Sequence, residues 1–193
     1  MYTLFISTFN ELITIGLLKD GKQIDIIEKK SNRNHSEFTV PMIETILKNN
    51  NINTNYLNDI IVVNGPGSFT GVRIGVTIAK TLAYTLDISI KTITSLEAFA
   101  VSHDSKDNKL VNIADLKGKY IGYFNKNNEM LTNYIYLNNK EYEKYIEDKS
   151  KYIIKDNKLD LEKIYNYLKN KDNMNPHLVN PIYIKGIDAL NDK

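Results

Sequence analysis

Three short stretches at the start of the chain are rich in apolar and β-branched residues. They predict strands at residues 2–7, 11–18 and 22–28. Asp20-Gly21, between the second and third stretches, is a typical hairpin turn. We therefore expect the chain to begin with strands, two of them joined in a hairpin.

The next segment has the spacing of a helix, predicted to run from residue 34 to about residue 49. Asn34 and Glu37 have the spacing of a capping box at its start. Pro41 has no N–H, so we expect the helix to begin near it or to bend there. The apolar positions at three- and four-residue intervals are Phe38, Met42, Ile43, Ile46 and Leu47.

A glycine-rich turn connects an apolar strand, residues 60–64, to a second predicted helix that ends near Leu86. The turn is Gly65-Pro66-Gly67-Ser68. Glycine permits positive φ, proline fixes φ, and Ser68 or Thr70 can cap the helix. Such a turn can present backbone N–H groups to an anion or a partner. It is not a phosphate-binding P-loop, because no Gly-Lys-Ser/Thr follows at the required spacing.

Small residues recur at every fourth position of this helix, and other apolar residues occupy more than one further side. A helix that is apolar on several faces is buried from several directions. The small residues allow another element to approach the helix backbone closely. We predict that this helix also contacts another protein; the alternative is packing on the chain's own sheet alone. The small residues are Gly71, Gly75, Ala79 and Ala83.

The rest of the chain repeats the order of strands and helices in a shortened form. A strand at 88–93 and a helix from 95 to about 102, capped by Thr94 or Ser95, end the first half. The polar stretch 103–109 is a plausible boundary, so we predict lobes at residues 1–104 and 105–193. The weak repeat favours a two-lobed α/β chain of the actin-like, sugar-kinase and Hsp70 architecture, with a reduced second lobe. Its predicted elements are strands at 110–115, 120–125, 130–137 and 151–154, helices at 141–148 and 159–169, and an extended segment at 181–185.

Composition narrows the function classes. The 193 residues carry a formal net charge of +2, and the charges are interspersed, so a basic nucleic-acid-binding face is not indicated. There is no cysteine, which excludes disulfides, thiolate catalysis and cysteine-ligated zinc and is compatible with a reducing cytoplasm. No signal-peptide pattern and no run of ~20 apolar residues is present, so we expect a cytoplasmic protein without a membrane span.

The string from Gly65 to Gly75, Gly-Pro-Gly-Ser-Phe-Thr-Gly-Val-Arg-Ile-Gly, followed by Ala79-Lys80 and Leu82-Ala83, closely resembles the signature of the bacterial TsaB (YeaZ) family. That family helps to make the threonylcarbamoyl modification of tRNA adenosine. The likeness is nearly complete in the first half and patchy from about residue 126 to 180. Further similar segments are Ile6-Ser7-Thr8, His35-Ser36-Glu37 with Pro41, Thr94-Ser95-Leu96-Glu97-Ala98, Ala114-Asp115-Leu116-Lys117 and Pro181-Ile-Tyr-Ile-Lys185.

The resemblance implies a non-catalytic subunit that pairs with the catalytic paralogue TsaD and associates transiently with the ATPase TsaE. It implies no cofactor of the chain's own, although the complex uses ATP and threonylcarbamoyl-adenylate. tRNA would be reached through the complex, and the chain alone could form a homodimer. The implied pairing surface comprises the helices 36–49 and 69–86, with contacts from Met42, Ile46, Phe69, Thr70, Gly71, Arg73, Gly75, Ala79 and Ala83.

Two features of this sequence differ from the actin-like ATPases of the same superfamily, and both argue against independent ATP hydrolysis. Ser7 stands where an aspartate is usual, which removes a carboxylate that actin-like ATPases place near the phosphates and the metal. The second half also lacks the Gly-Gly turn that cradles adenosine in those proteins.

Metal and nucleophile chemistry are not indicated either. With Pro41 aligned on the family's proline, Arg33 and Glu37 occupy the positions of the two metal-binding histidines of the catalytic relatives. His35 lies between them and is interpreted as a surface or capping residue. Ser68 has no assignable His/Asp pair. Arg73 and Lys80 share a helix face and could contact phosphate, but a solvated or ion-paired edge is the simpler interpretation.

Two rival functions stay open. A stand-alone actin-like kinase or ATPase would need the missing aspartate and the missing Gly-Gly turn. A stand-alone RNA-binding module would need a basic stripe with exposed aromatic residues between the cations. The sequence has 13 tyrosines, but many fall in strand or helix patterns such as Tyr134-Ile-Tyr136, where packing is the default.

Overall fold

Five strands of the first half form one sheet. The computed structural model describes residues 1–32, 34–147, 153–154 and 158–184. The five strands are β1 (Tyr2–Ser7), β2 (Leu12–Lys19), β3 (Lys22–Lys30), β4 (Leu57–Val63) and β5 (Ser89–Ile93). Their order is β3-β2-β1-β4-β5, with β1, β2 and β3 antiparallel and β4 parallel to both β1 and β5. This three-plus-two arrangement is the predicted actin-like α/β topology.

Two long helices cover one face of this sheet. They are α1 (His35–Asn49), between β3 and β4, and α2 (Phe69–Leu86), between β4 and β5. Two parallel strands need such a crossover, because the end of the first strand and the start of the second lie at opposite ends of the strands. α1 packs on β2 and β3, whereas α2 packs on β1, β4 and β5. The chain then continues into α3 (Ser95–Ser102).

The second half forms a smaller antiparallel sheet of order β6-β7-β8. Its strands are β6 (Lys109–Ala114), β7 (Gly118–Phe124) and β8 (Met130–Asn138), and α4 (Asn139–Ile146) packs on β7 and β8. The strand predicted at 151–154 lies largely outside the described residues. Its described part, Ile153, pairs with Leu110 in a single parallel bridge. Of the predicted extended segment 181–185, the described residues 181–184 belong to no helix or strand.

The last described α-helix lies after the predicted division at residue 104 but packs on the first sheet. This helix, α5 (Leu161–Leu168), packs on β2, β3 and α3. Since α1 contacts the same two strands, α5 must lie on the opposite face. Gly16 permits the contact, because a Cβ there would lie 2.1 Å from Cδ1 of Leu161. The apolar pattern of α5 predicts a helix but does not specify which sheet it covers.

The helix ends show which capping predictions were correct. Ser68 caps α2 by accepting a hydrogen bond from the Gly71 N–H, and Thr94 with Glu97 forms a full capping box on α3. The capping box predicted for α1 is wrong, since the Asn34 side chain caps no backbone N–H and instead donates to the Glu37 carboxylate. Pro41 neither begins nor ends α1, which starts six residues before it. Pro41 is the seventh residue of α1, so its missing N–H removes one interior hydrogen bond of the helix.

A buried lysine connects α3 to the second sheet. Lys109, predicted to lie in a polar boundary, is 2% exposed. Its ammonium donates to the carbonyls of Ala100 (2.6 Å) and His103 (3.1 Å) at the end of α3 and to the side-chain oxygen of Asn128 in the β7–β8 turn. Burial lowers the pKa of this ammonium. The helix dipole favours a cation at the C-terminus of α3. Because Lys109 belongs to β6, its hydrogen bonds connect α3 to the second sheet.

Asp59 is an ionisable side chain buried in β4, between β1 and the edge strand β5. It is 5% exposed, it lies opposite Thr3 of β1, and its Oδ1 has no hydrogen-bond partner among the described residues. Burial raises the pKa of the Asp59 carboxyl to about 6, although Lys91 counteracts the shift. The ionised form is therefore less favourable in the native state than in the unfolded chain.

We expect Asp59→Asn to flatten the pH dependence of the free energy of unfolding. Because the folded pKa is raised, the wild type loses stability as the pH increases through about 6. A two-unit shift corresponds to at most about 3 kcal/mol. Urea denaturation at about pH 4 and about pH 8 measures the difference. Asp107→Asn, at an exposed position, is the control, and an equal pH dependence in both variants would contradict this account.

No described helix is both long and apolar enough to cross a membrane.

Candidate functional site

The glycine turn is held tightly between β4 and α2. It contains a cis Gly65-Pro66 peptide bond, and Gly65 has a φ of +99°, which favours glycine. A Cβ on Gly67 would lie only 2.2 Å from the Phe9 carbonyl oxygen. The turn after β1 therefore approaches the backbone of Gly67 so closely that a residue with a Cβ would not fit there.

The turn binds three other segments of the chain through its backbone. The Ser68 N–H donates to the Phe9 carbonyl (2.7 Å), and the Ile182 N–H donates to the Asn64 carbonyl (2.8 Å). From α3, the Ser95 N–H donates to the Gly65 carbonyl (2.9 Å) and the Ser95 hydroxyl to the Pro66 carbonyl (2.5 Å). The family motif therefore joins the ends of β1, α3 and the C-terminal segment. The role of Ser95 was missed, since only its capping potential is visible in the sequence.

The small residues of α2 face the interior of this chain, which corrects the prediction that they contact another protein. Gly71, Gly75, Ala79 and Ala83 are all buried. Cβ atoms on Gly71 and Gly75 would each lie 2.2 Å from Thr8, from its carbonyl oxygen and its Oγ1 respectively. The Thr8 hydroxyl donates to the Gly71 carbonyl at 2.7 Å. The stripe is thus the seat of the β1–β2 turn, which was the alternative interpretation.

Two more of the predicted pairing residues are unavailable, whereas three stay on the surface. Met42 and Ile46 of α1 belong to the core and are at most 6% exposed. Phe69, Thr70 and Arg73 of α2 are exposed. The periodicity shows that α1 has a buried face, but it does not reveal that Met42 and Ile46 are fully covered by their own sheet.

The remaining outer surface of α1 and α2 carries several apolar or neutral side chains. Val40 on α1 is exposed. On α2, Thr70 and Thr77 are exposed, and Ile74 is half-buried without packing against the core. The two helices contact each other, so these side chains belong to one helical layer. We call this surface the outer helical face.

Arg73 and Lys80 both bind the C-terminal segment. Neither of the predicted roles of these two side chains, phosphate contact or a solvated or ion-paired edge, includes this contact. Arg73 Nε donates to the Tyr183 hydroxyl at 2.8 Å, and its guanidinium lies 3.8 Å from the centre of the Phe69 ring. Lys80 Nζ donates to the His177 carbonyl at 3.2 Å. Both contacts join positions about 100 residues apart, which local sequence patterns cannot reveal.

A small cleft opens beside β1, β2 and β3. Its water-accessible volume is about 10 Å³, and polar side chains of Ser7, Asn10, Thr14 and Glu28 line it together with Phe9, Leu12, Phe99 and Leu159. Ser7 is 1% exposed, and its hydroxyl has no hydrogen-bond partner among the described residues. Phe9 packs edge-on against Phe99, with ring centres 5.6 Å apart. The aromatic pair closes one side of the cleft.

His35 is buried, not a surface residue as predicted. Its Nε2 lies 2.7 Å from the Asn10 carbonyl and 3.2 Å from the Ser31 hydroxyl. A carbonyl can only accept, so Nε2 carries the proton. His35 thus ties α1 to the β1–β2 turn. No group of three or more His, Cys, Asp or Glu side chains arranged to hold a metal occurs within the described ranges, and Arg33 lies outside them.

These features define an actin-like α/β protein with a reduced second lobe and a nearly filled cleft. Two solved structures share the fold. YeaZ from Pseudomonas aeruginosa superimposes with a TM-score of 0.77 at 17% identity and covers 94% of this chain and 100% of its own. A second P. aeruginosa protein, described as similar to peptidase YeaZ, gives 0.80 at 18% identity and covers 95% and 99%.

Sequence comparison identifies the family. The model of the family "TsaD: tRNA N6-adenosine threonylcarbamoyltransferase" matches residues 24–123, about half of the chain. The protein named tRNA threonylcarbamoyladenosine biosynthesis protein TsaB is 38% identical in Bacillus subtilis over 68% of this chain, and 37% identical in Haemophilus influenzae over 50%. The chain belongs to the TsaB (YeaZ) branch of this family. The matches span 58% and 41% of those two relatives.

We expect Gly75→Leu to destabilise the isolated chain by several kcal/mol, as overpacking does, since the new side chain would collide with Thr8. Thr77→Leu, on the exposed side of the same helix, is the matched control and should change stability by less than about 1 kcal/mol. Chemical denaturation followed by circular dichroism measures both. Equal stability of the two variants would show that the stripe is not a packing seat.

Proposed function

We propose that the protein is a non-catalytic subunit of the machinery that synthesises threonylcarbamoyladenosine in tRNA. The observation that carries this proposal is the 38% identity to the Bacillus subtilis biosynthesis protein over 68% of this chain. Because the chain spans only 58% of that relative's length, the activity and partners of the whole relative are part of the proposal. A related catalytic protein from Wigglesworthia, tRNA N6-adenosine threonylcarbamoyltransferase, is 38% identical over 37% of this chain.

The filled cleft supports a non-catalytic role. The water-accessible volume of this cleft is about 10 Å³, which is room for about one water molecule and not for a nucleotide. Ser7 provides no carboxylate for a phosphate-bound metal. The Ser68 N–H, which could meet a phosphate at the start of α2, is already bonded to Phe9. A nucleotide here would have to displace a turn that is anchored in the core.

The outer helical face is the proposed contact with a TsaD-type catalytic paralogue. Its side chains are accessible, and its Ile74 gains nothing from the core. A helical layer with exposed apolar and small neutral residues can pack on an equivalent layer of a related chain. Without the paralogue, the same face would form a homodimer, because a two-fold interface uses one surface twice.

The remaining parts of the proposal follow from the same family likeness. The complex would use ATP and threonylcarbamoyl-adenylate, whereas this chain would hold no cofactor of its own. A TsaE-type ATPase would associate transiently, tRNA would bind through the complex, and the reaction would take place in the cytoplasm.

A charge on the outer helical face should prevent pairing with the paralogue without unfolding the chain. Ile74→Glu and Thr77→Glu place a carboxylate at the centre of the proposed contact, where it would be buried without a partner. We expect a loss of at least about tenfold in co-purification, the effect of ~1.4 kcal/mol. Thr132→Glu, on exposed β8, is the matched control. Undiminished pairing of both α2 variants would exclude this surface.

The purified chain should neither bind nor hydrolyse ATP on its own. Isothermal titration calorimetry and phosphate release test this directly, with the reconstituted complex as the positive control. Saturable ATP binding by the isolated chain would favour the rival function, a stand-alone actin-like kinase or ATPase.

A further inference from the structure

Two basic side chains lie between aromatic ones along the side of α2 that faces the C-terminal segment. We call this surface the cation–aromatic strip, and it consists of Phe69, Arg73, Lys80 and Tyr84 from α2 with His177 and Tyr183 from the C-terminal segment. It lies beside the outer helical face, because Arg73 and Thr77 are successive exposed positions of one helix.

Contacts between its members make the strip continuous. The rings of Phe69 and Tyr183 are 5.3 Å apart, and the Arg73 guanidinium lies over both. At the other end, the Tyr84 and His177 rings are 4.8 Å apart in an edge-on arrangement. Side chains held in this way lose less freedom on binding than unsupported surface residues do.

The strip is exposed and carries no negative charge. Phe69, Tyr183 and Tyr84 are 44%, 46% and 65% exposed. Neither 69–86 nor 175–184 contains an aspartate or glutamate, and the next acid, Asp87, follows the end of α2. Within the described part of the chain, the hydrogen bond of Arg73 to Tyr183 (2.8 Å) uses one of its five N–H donors. The hydrogen bond of Lys80 to His177 (3.2 Å) uses one of its three.

We propose that the cation–aromatic strip binds an unpaired segment of RNA. Arg73 and Lys80 would contact successive parts of the phosphate backbone, and bases would stack on Tyr84 and on the Phe69–Tyr183 pair. Seven helical residues separate the two cations by about 10 Å, and fifteen separate the outer rings by about 22 Å. This length is enough to contact several nucleotides of an unpaired strand.

The observations favour RNA over an acidic peptide. Both ligands would meet the cations, but every nucleotide also supplies a flat base that can stack on the exposed rings at both ends of the strip. The two cations interrupt the aromatic surface, so the strip is not a continuous apolar groove of the kind that receives amphipathic helices. The inference deepens the proposed function, since it gives this subunit its own contact with the tRNA.

Fluorescence anisotropy with a short labelled single-stranded RNA, and with unmodified tRNA, tests the inference on the full chain and on its complex. Arg73→Gln/Lys80→Gln should weaken RNA binding at least tenfold. The dependence of log K on log salt should fall by about 1.4, the value for two phosphate contacts on a single strand. Tyr84→Ser should weaken binding about fivefold or more, as expected for one lost stack.

Matched variants elsewhere control for charge and for ring loss. Lys126→Gln/Lys144→Gln removes the same charge from the second lobe, and Tyr56→Ser removes a tyrosine that is 64% exposed, close to the 65% of Tyr84. These controls should bind RNA within about twofold of the wild type. Competition by polyglutamate as effective as that by RNA would overturn the inference in favour of an acidic peptide.

Pairing with the paralogue separates this inference from the proposed function. If the strip variants bind RNA like the wild type yet still pair, the strip proposal fails and the proposed function survives. If the full chain binds RNA through the strip but never pairs with the paralogue, the proposed function fails instead.

Discussion

The close approach of the β1–β2 turn to α2 is the contact on which the rest of the structure depends. Thr8 and Phe9 press against Gly67, Gly71 and Gly75, where Cβ atoms would lie 2.2 Å from their oxygens. Glycine is required at all three positions, because the β1–β2 turn passes the glycine turn at Gly67 and then the side of α2 at Gly71 and Gly75. The contact closes the cleft, fixes the start of α2, and uses the N–H of Ser68 within the protein.

This contact also determines how the faces of α2 are divided. One side of the helix is occupied by the turn and the sheet, and a second side is crossed by the C-terminal segment at Tyr183 and His177. The side that stays open carries Thr70, Ile74 and Thr77. A pairing surface can only be built from this open side and α1. One apolar helix therefore contributes to the core, to the contact with the C-terminal segment and to the proposed interface.

Local patterns predicted the elements well, because each depends on neighbouring residues. The strand-forming residues of β1 and the cap of α3 at Thr94 are local features, and both predictions agree with the structure. The predicted capping box at Asn34 failed because its side chain donates to Glu37 and does not accept from the backbone. The packing of α5 on a sheet more than 100 residues earlier in the chain could not be predicted from local patterns, because it depends on the complete fold.

The sequence by itself determined the order of strands and helices, the actin-like class, the family and the unusual closeness of packing around the glycines. It could not determine what the glycines pack against, because a small residue permits the close approach of another element but does not specify which element. The buried positions of His35 and Lys109 were also hidden, since both side chains bind carbonyl groups whose positions depend on the complete fold. Only the tertiary structure decided that the small stripe belongs to the interior and that Thr70, Ile74 and Thr77 stay outside, because burial depends on every element that covers a helix.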